Sequence, residues 1–119
     1  MRNPAERLRD ILEAIDRIQE RCGGGRSAFD ADEMLQVWVL HHLQVIGESS
    51  RSLREDFRNS HPDVPWQRII GMRHILVHHY FDVDTEVVWQ VVANDLPQLR
   101  LQIALLLARL TNDSDSEAT

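Results

Sequence analysis

The chain has 119 residues, a single cysteine and a formal charge of −6. That length suits one domain with one buried core, the lone Cys22 excludes an intramolecular disulfide and fits a reducing cytoplasm, and the acidic balance excludes a protein that attracts nucleic acid over its whole surface. The N-terminus is polar and charged from Arg2 onward, unlike a signal peptide, and no apolar run approaches the roughly 20 residues a membrane-spanning helix needs.

Asn3-Pro4-Ala5-Glu6 opens a first helix: a capping side chain, proline at the first helical position and glutamate three residues after the cap. Leu8, Ile11, Leu12, Ile15, Ile18 and Cys22 follow at three- and four-residue spacing and give one apolar face. Gly23-Gly24-Gly25 ends the helix; with no following lysine or flanking strand it is not a phosphate loop. Asp30 and Glu33 form a second capping box. The helix after it, from Met34 to Ile46, is apolar over much of its circumference, as expected of a central helix or one buried in a dimer contact. Its charged end, Arg51 to Arg58, leads into a break at His61-Pro62 and Val64-Pro65.

Pro65 opens a third helix running to about His78, with Ile69, Ile70, Leu76 and Val77 facing the core. Phe81-Asp82-Val83-Asp84 reads as a turn, and Asp84 caps a fourth helix. That helix is rich in β-branched residues, but the pairs Val87–Val91 and Val88–Val92 favour helix over strand. Asn94-Asp95-Leu96-Pro97 marks a break or kink. The last helix carries Leu99, Ile103, Leu106, Leu107 and Leu110, and residues 112–119 form an acidic, disordered tail. No alternating strand pattern occurs. The expectation is an all-α, up-and-down bundle of four to five helices over residues 1–111.

Charge is unevenly distributed. All thirteen basic residues are arginine; eleven lie in residues 1–73 beside twelve acids, and beyond position 73 only Arg100 and Arg109 face seven acids. Genomic base composition would explain the missing lysine, and so would a preference for forked guanidinium groups on phosphate.

The segment Arg73-His74-Ile75-Leu76-Val77-His78-His79-Tyr80 concentrates the chemistry, and Tyr80 is the only tyrosine. Internal transfer in RNA requires a base for the 2′-hydroxyl, an acid for the leaving 5′-oxygen and a cation for the charge on phosphorus. Histidine can serve as acid or base near neutrality, and arginine supplies a fixed cation. On an unbroken helix Arg73 and His78 stand about 140° apart; they can converge if the helix ends near His78. One histidine per chain could suffice if two subunits place two copies over one substrate. The competing structural reading makes Arg73 a surface ion pair, His78 a helix-end residue bonded to a carbonyl and Tyr80 a packed ring.

His74, His78, His79 and Asp82 could also supply three nitrogens and an oxygen to zinc. Adjacent His78 and His79 point in different directions on a helix, and no cysteine is near, so no metal is assigned. Of His41-His42, one packs at an interface and the other is solvated. Cys22 continues an apolar face as a core thiol. Trp38, Trp66 and Trp89 fall at helical core positions. Glu48 either orients Arg73 or His78 or is a solvated acid.

The stretch from Val64 to Arg73, continued through His78-His79-Tyr80-Phe81-Asp82-Val83-Asp84, Val88-Trp89 and Asn94-Asp95-Leu96-Pro97, closely resembles the HepT-like toxins of the HEPN superfamily. Upstream, Arg9 to Ile15 and Leu43 to Glu48 resemble it too. The resemblance implies an all-α homodimer whose two motifs line a shared cleft. It implies a metal-independent endoribonuclease, the toxin of a type VII toxin-antitoxin pair, acting on RNA such as tRNA or mRNA without a cofactor. The family motif R-x4-H-x-Y falls on Arg73, His78 and Tyr80. A minimal nucleotidyltransferase antitoxin would attach AMP to Tyr80 and silence the toxin. His74 and His79 depart from the family's usual residues and could shift the pH profile or add a proton carrier. The alternative is a non-catalytic nucleotide-binding or interaction module that partners the nucleotidyltransferase.

Overall fold

The structure is a computed structural model that describes the backbone of residues 3–78 and 84–118 and the side chains of residues 3–72 and 84–112. Every described element is helical, as the periodicities require: α1 (Pro4–Arg21), α2 (Gly25–Ala31), α3 (Glu33–Ser52), α4 (Glu55–Asn59), α5 (Trp66–His78), α6 (Thr85–Gln90), a π turn (Val91–Asp95) and α7 (Leu96–Ala118). The long helices α1, α3, α5 and α7 make the bundle. Helix α1 packs against α3 and α7, and α3 packs against α5. None of the described helices is long and apolar enough to cross a membrane.

Helix α1 forms as its sequence dictates. The Asn3 side chain accepts a hydrogen bond from the Glu6 N–H at 2.9 Å, satisfying one of the donors a helix start leaves without a partner. Leu8, Ile11, Ala14, Ile15 and Ile18 are buried along one stripe. The helix stops at the glycine run, where Gly25 takes φ +81°, a conformation open to glycine at little cost.

Three local features depart from or add to the sequence reading. After the glycine run, where no element was assigned, seven residues form α2, anchored by Phe29, which is buried and stacks on Trp89 at 5.4 Å between ring centroids. Tertiary burial of one large side chain stabilises a helix too short to form by propensity. The cap of α3 is Asp32, not Asp30. The Asp32 carboxylate accepts from the Leu35 N–H at 3.1 Å, while Asp30 lies inside α2 and pairs with Arg26 at 3.4 Å. Nor does α3 run on to Arg58. It ends at Ser52, Leu53 turns extended and is buried, and α4 begins anew at Glu55. Burying Leu53 outweighs continuing a helix whose next turns carry only Phe57 as an apolar side chain.

Pro65 precedes α5, and its carbonyl accepts the Ile69 N–H at 3.2 Å. Trp66 is buried and donates its indole N–H to the His61 carbonyl at 3.0 Å, which ties the loop to the helix start. Asp84 caps α6 by accepting from the Glu86 N–H at 2.9 Å. At Asn94-Asp95-Leu96-Pro97 the chain does not break. Pro97 has no N–H for the Ala93 carbonyl, and the backbone absorbs the gap by widening into the π turn before continuing as α7. The backbone of α7 extends to Ala118, through the acidic residues at its end.

Candidate active site and the helix that carries it

Helix α5 runs unbroken from Trp66 to His78. Arg73, His74 and His78 are therefore backbone positions on its last described turns, and His78 is its last described residue. The helix end expected near His78 falls outside the described residues. A cation is favoured at such an end, because the peptide dipoles leave partial negative charge there. Arg73 and His78 are five positions apart, which gives about 140° of rotation and about 7.5 Å of rise. The side chains of Arg73, His74 and His78 lie outside the described residues, as do His79, Tyr80 and Asp82 entirely; the histidine set considered for zinc falls there too. Among the described residues no group of three His, Cys, Asp or Glu side chains could hold a metal ion.

The surroundings of α5 are well defined. On one side α3 supports it. Ile69 is buried and Met72 is half-buried against the core. Gly71 is exposed on α5, and a Cβ there would meet nothing within 4 Å, so its role is neither close approach nor special backbone geometry. Glu48 is an exposed residue on α3 and makes an interaction of its own.

Helix α3 holds a ring cluster whose connectivity the sequence did not reveal. His42 is buried, and its Nδ1 lies 2.8 Å from the Trp38 carbonyl. A carbonyl can only accept, so Nδ1 carries a proton. The Trp38 ring stacks on His42 at 4.4 Å and donates its N–H to the Arg17 carbonyl at 3.3 Å. The Arg21 guanidinium covers the other part of that indole, 5.0 Å from the ring. His41 is exposed, edge-on to His42 at 5.0 Å. One histidine is thus buried and its neighbour solvated. Only the i, i+4 spacing of Trp38 and His42 could have signalled the pairing.

The arginines of α1 do not make an anion site. Arg9, Arg17 and Arg21 line a shallow surface depression with Glu13, Asp16 and Glu20. Arg17 pairs with Glu13 at 2.9 Å, and Arg100 reaches from α7 to Asp16 at 2.6 Å. The hydrogen bond and charge of Asp16 raise Arg100 above the ordinary guanidinium range. Three cations against three carboxylates leave little net attraction for phosphate. Cys22 is half-buried, and burial pushes its thiol up from the usual range, so it is not an activated nucleophile.

A larger feature lies on the other side of α5. A groove of about 620 Å³ runs between α5 and the α6–π–α7 segment. Its floor is apolar, and its rim holds the Arg68–Asp95 ion pair at 3.0 Å and Asp63. Gln102 ties α7 to the loop before α5 by donating to the Asp63 carbonyl at 2.7 Å.

Comparison with known proteins agrees with this architecture. A family model described as ribonuclease HepT-like matches residues 11–106. A Thermococcus cleftensis protein named a probable ribonuclease HepT is 38% identical over 103 residues, covering 83% of this chain and 91% of its own. A Methanocaldococcus jannaschii protein named as a candidate RNase is 36% identical over 100 residues, covering 83% and 92%. Another protein so named, from Caldanaerobacter subterraneus subsp. tengcongensis, is 33% identical over 110 residues, covering 92% and 98%. No solved structure matches the chain.

Proposed function

The chain belongs to the ribonuclease HepT-like family, and from that premise we propose that it is a ribonuclease, specifically a metal-independent endoribonuclease that acts as the toxin of a toxin-antitoxin pair. The observation that carries the reading is the R-x4-H-x-Y motif on Arg73, His78 and Tyr80, within a chain-wide match to proteins named as RNases.

In this reading Arg73 and His78 are the catalytic residues. Arg73 holds the scissile phosphate through its forked donors and offsets the charge that builds on the equatorial oxygens. His78 moves protons. As a neutral imidazole it accepts the 2′-hydroxyl proton; the 2′-oxygen then bonds to phosphorus and the bond to the 5′-oxygen breaks. An imidazolium delivers the proton to that leaving oxygen. The products are a 2′,3′-cyclic phosphate and a 5′-hydroxyl. Two copies of the chain bring two histidines to one cleft, which separates the base from the acid. His74, His79 and Glu48 are supporting residues that tune the protonation of His78. A histidine at a helix C-terminus is favoured in its charged form, which suits the acid.

Tyr80 is the silencing site. A minimal nucleotidyltransferase antitoxin that attaches AMP to its hydroxyl adds bulk and negative charge to the motif, which repels the RNA backbone. The test is cleavage of total RNA and tRNA in EDTA by the purified protein. The reading expects His78→Ala and Arg73→Ala to lose cleavage while keeping the wild-type fold. Intact mass after co-expression with a nucleotidyltransferase should show added AMP that Tyr80→Phe abolishes.

A further inference from the structure

Several arginines have partners within the chain. Arg17, Arg26, Arg54, Arg68 and Arg100 pair with carboxylates, and Arg21 lies over Trp38. Arg51 and Arg58, at the corner where α3 gives way to α4, take part in no ion pair among the described residues. Arg51 is exposed on the last turn of α3. Arg58 is half-buried on α4, and its Nε–H is shut off from solvent with no protein acceptor. Among the described residues it is the one buried side-chain polar atom left in that condition. A buried donor without a partner is costly, more so on a group that is always charged, and it calls for a reason.

The local helix gathers these cations. Positions 54, 58 and 61 recur at four- and three-residue spacing, so Arg54, Arg58 and His61 fall on one side of α4 and of the turn that continues it. In that turn the Ser60 N–H donates to the Asp56 and Phe57 carbonyls at 3.1 and 3.2 Å, and the His61 N–H donates to the Arg58 carbonyl at 3.1 Å. Phe57 packs on the core and stacks on the His61 ring at 4.8 Å between centroids. The Trp66 indole fixes the His61 carbonyl at 3.0 Å. Glu55 and Asn59 fall on the opposite side of the helix. Asp56 bends round to Arg54 at 3.4 Å, in a pair whose side chains are 77% and 76% exposed. Such a pair contributes little and gives way readily.

We propose that this corner holds a backbone phosphate of the RNA at a distance from the cut, with Arg58 gripping it and Arg51 and Arg54 adding charge. The edge of a guanidinium formed by Nε–H and one Nη–H suits two oxygens of one anion. Arg100 shows that edge filled within the chain, its Nε and Nη2 donating to the two oxygens of Asp16. On Arg58 a phosphate supplies the acceptor that the chain itself does not provide. The inference deepens the ribonuclease reading by assigning a second anchor for the same substrate, and it rests on that reading for its ligand. Helix α5 links the two places. It starts at Trp66, tied to the corner through His61, and His78 lies about 18 Å further along it. An RNA strand reaches from one to the other by extending a few nucleotides beyond the scissile bond. With a net charge of −6, the chain needs localised cations of this kind to hold a polyanion.

The test uses the full chain and reads binding, not cleavage. A short fluorescein-labelled 2′-O-methyl RNA lacks the hydroxyl that cleavage consumes, so anisotropy titrations at several salt concentrations give the Kd and its salt dependence. Arg58→Met keeps an apolar stem and removes the guanidinium. It should weaken binding about 10-fold and lower the slope of log affinity against log salt by about 0.7, the share of one phosphate contact on a single strand. Its thermal midpoint should hold or rise, because an unpaired buried donor is gone. Arg51→Ala should weaken binding in the same direction, whereas Arg26→Ala, which removes an arginine paired on α2, should not. Unchanged affinity in Arg58→Met would overturn the proposal. So would a lowered midpoint in that variant, which would make the guanidinium a structural group. A polyglutamate peptide that competes as well as RNA of equal charge would also overturn it, since the corner would then take carboxylates. A wild type that binds no RNA would overturn it together with the ribonuclease reading. The expected binding pattern in a protein that cuts no RNA in EDTA would support the corner and overturn only the ribonuclease reading.

Discussion

Leu43→Ala tests whether the α3 core is the scaffold that supports the motif helix. Leu43 is fully buried on α3, the helix that packs against both α1 and α5. Truncation removes three carbon atoms and leaves a cavity that neighbouring helices fill only in part, a change that costs about 2–5 kcal/mol. For 119 residues the entropy of unfolding near the midpoint is about 0.25 kcal/mol/K. The midpoint should therefore fall by roughly 8–20 °C. Thermal unfolding followed by circular dichroism at fixed protein concentration reads this directly, and chemical denaturation at 25 °C gives the free energy independently. Well below the lowered midpoint, cleavage per folded molecule should stay within a few-fold of wild type, because Leu43 holds the scaffold and not the substrate. A loss under about 1 kcal/mol would place Leu43 outside a close-packed core and refute the packing derived for α3.

Replacing Asp32 with alanine should cost about 1 kcal/mol, because the Leu35 N–H loses its acceptor at the start of α3; replacing Asp30 should change stability far less, and the reverse order would return the cap to Asp30. Gly25→Ala should destabilise by about 1–2 kcal/mol through backbone strain alone, since its φ is +81° and a Cβ there would touch nothing; an unchanged denaturation midpoint would argue against that conformation. Cys22 should react slowly with iodoacetamide at pH 8 relative to a free thiol, because burial raises its pKa. The folded-state value lies above the unfolded one, so the associated stability is fully present below the ordinary thiol range and lost as pH rises through the raised value. Denaturation of wild type and Cys22→Ser from pH 7 to 10 should show that loss only in the wild type.

The long helices were legible because each carries its own period. Ile11, Ile15 and Ile18 mark the buried face of α1 without any knowledge of its partners, and Asn3 and Asp84 mark helix starts through short-range hydrogen bonds. What escaped depends on contacts distant in sequence. Helix α2 exists because Phe29 finds Trp89, sixty residues away. The end of α3 at Ser52 follows from burial of Leu53, which local propensity does not report. The π turn at Val91–Asp95 is one chain's answer to Pro97, where a kink or a full break would answer equally well. At the candidate site, the helix that carries Arg73, His74 and His78 was legible from its start at Pro65 and its apolar residues. The buried His42 beside Trp38 was not, since His41 and His42 look alike in sequence. The groove was invisible for the same reason: its walls come from residues 63–102, on α5, α6, the π turn, α7 and the loop before α5.

The most direct test of the central claim is the chemistry of the cut ends. RNA should be incubated in EDTA with wild type, Arg73→Ala and His78→Ala, and the product termini mapped. The account predicts 2′,3′-cyclic phosphate and 5′-hydroxyl ends from the wild type and no cleavage by either variant. Ends bearing a 5′-phosphate, or equal cleavage by His78→Ala, would contradict it.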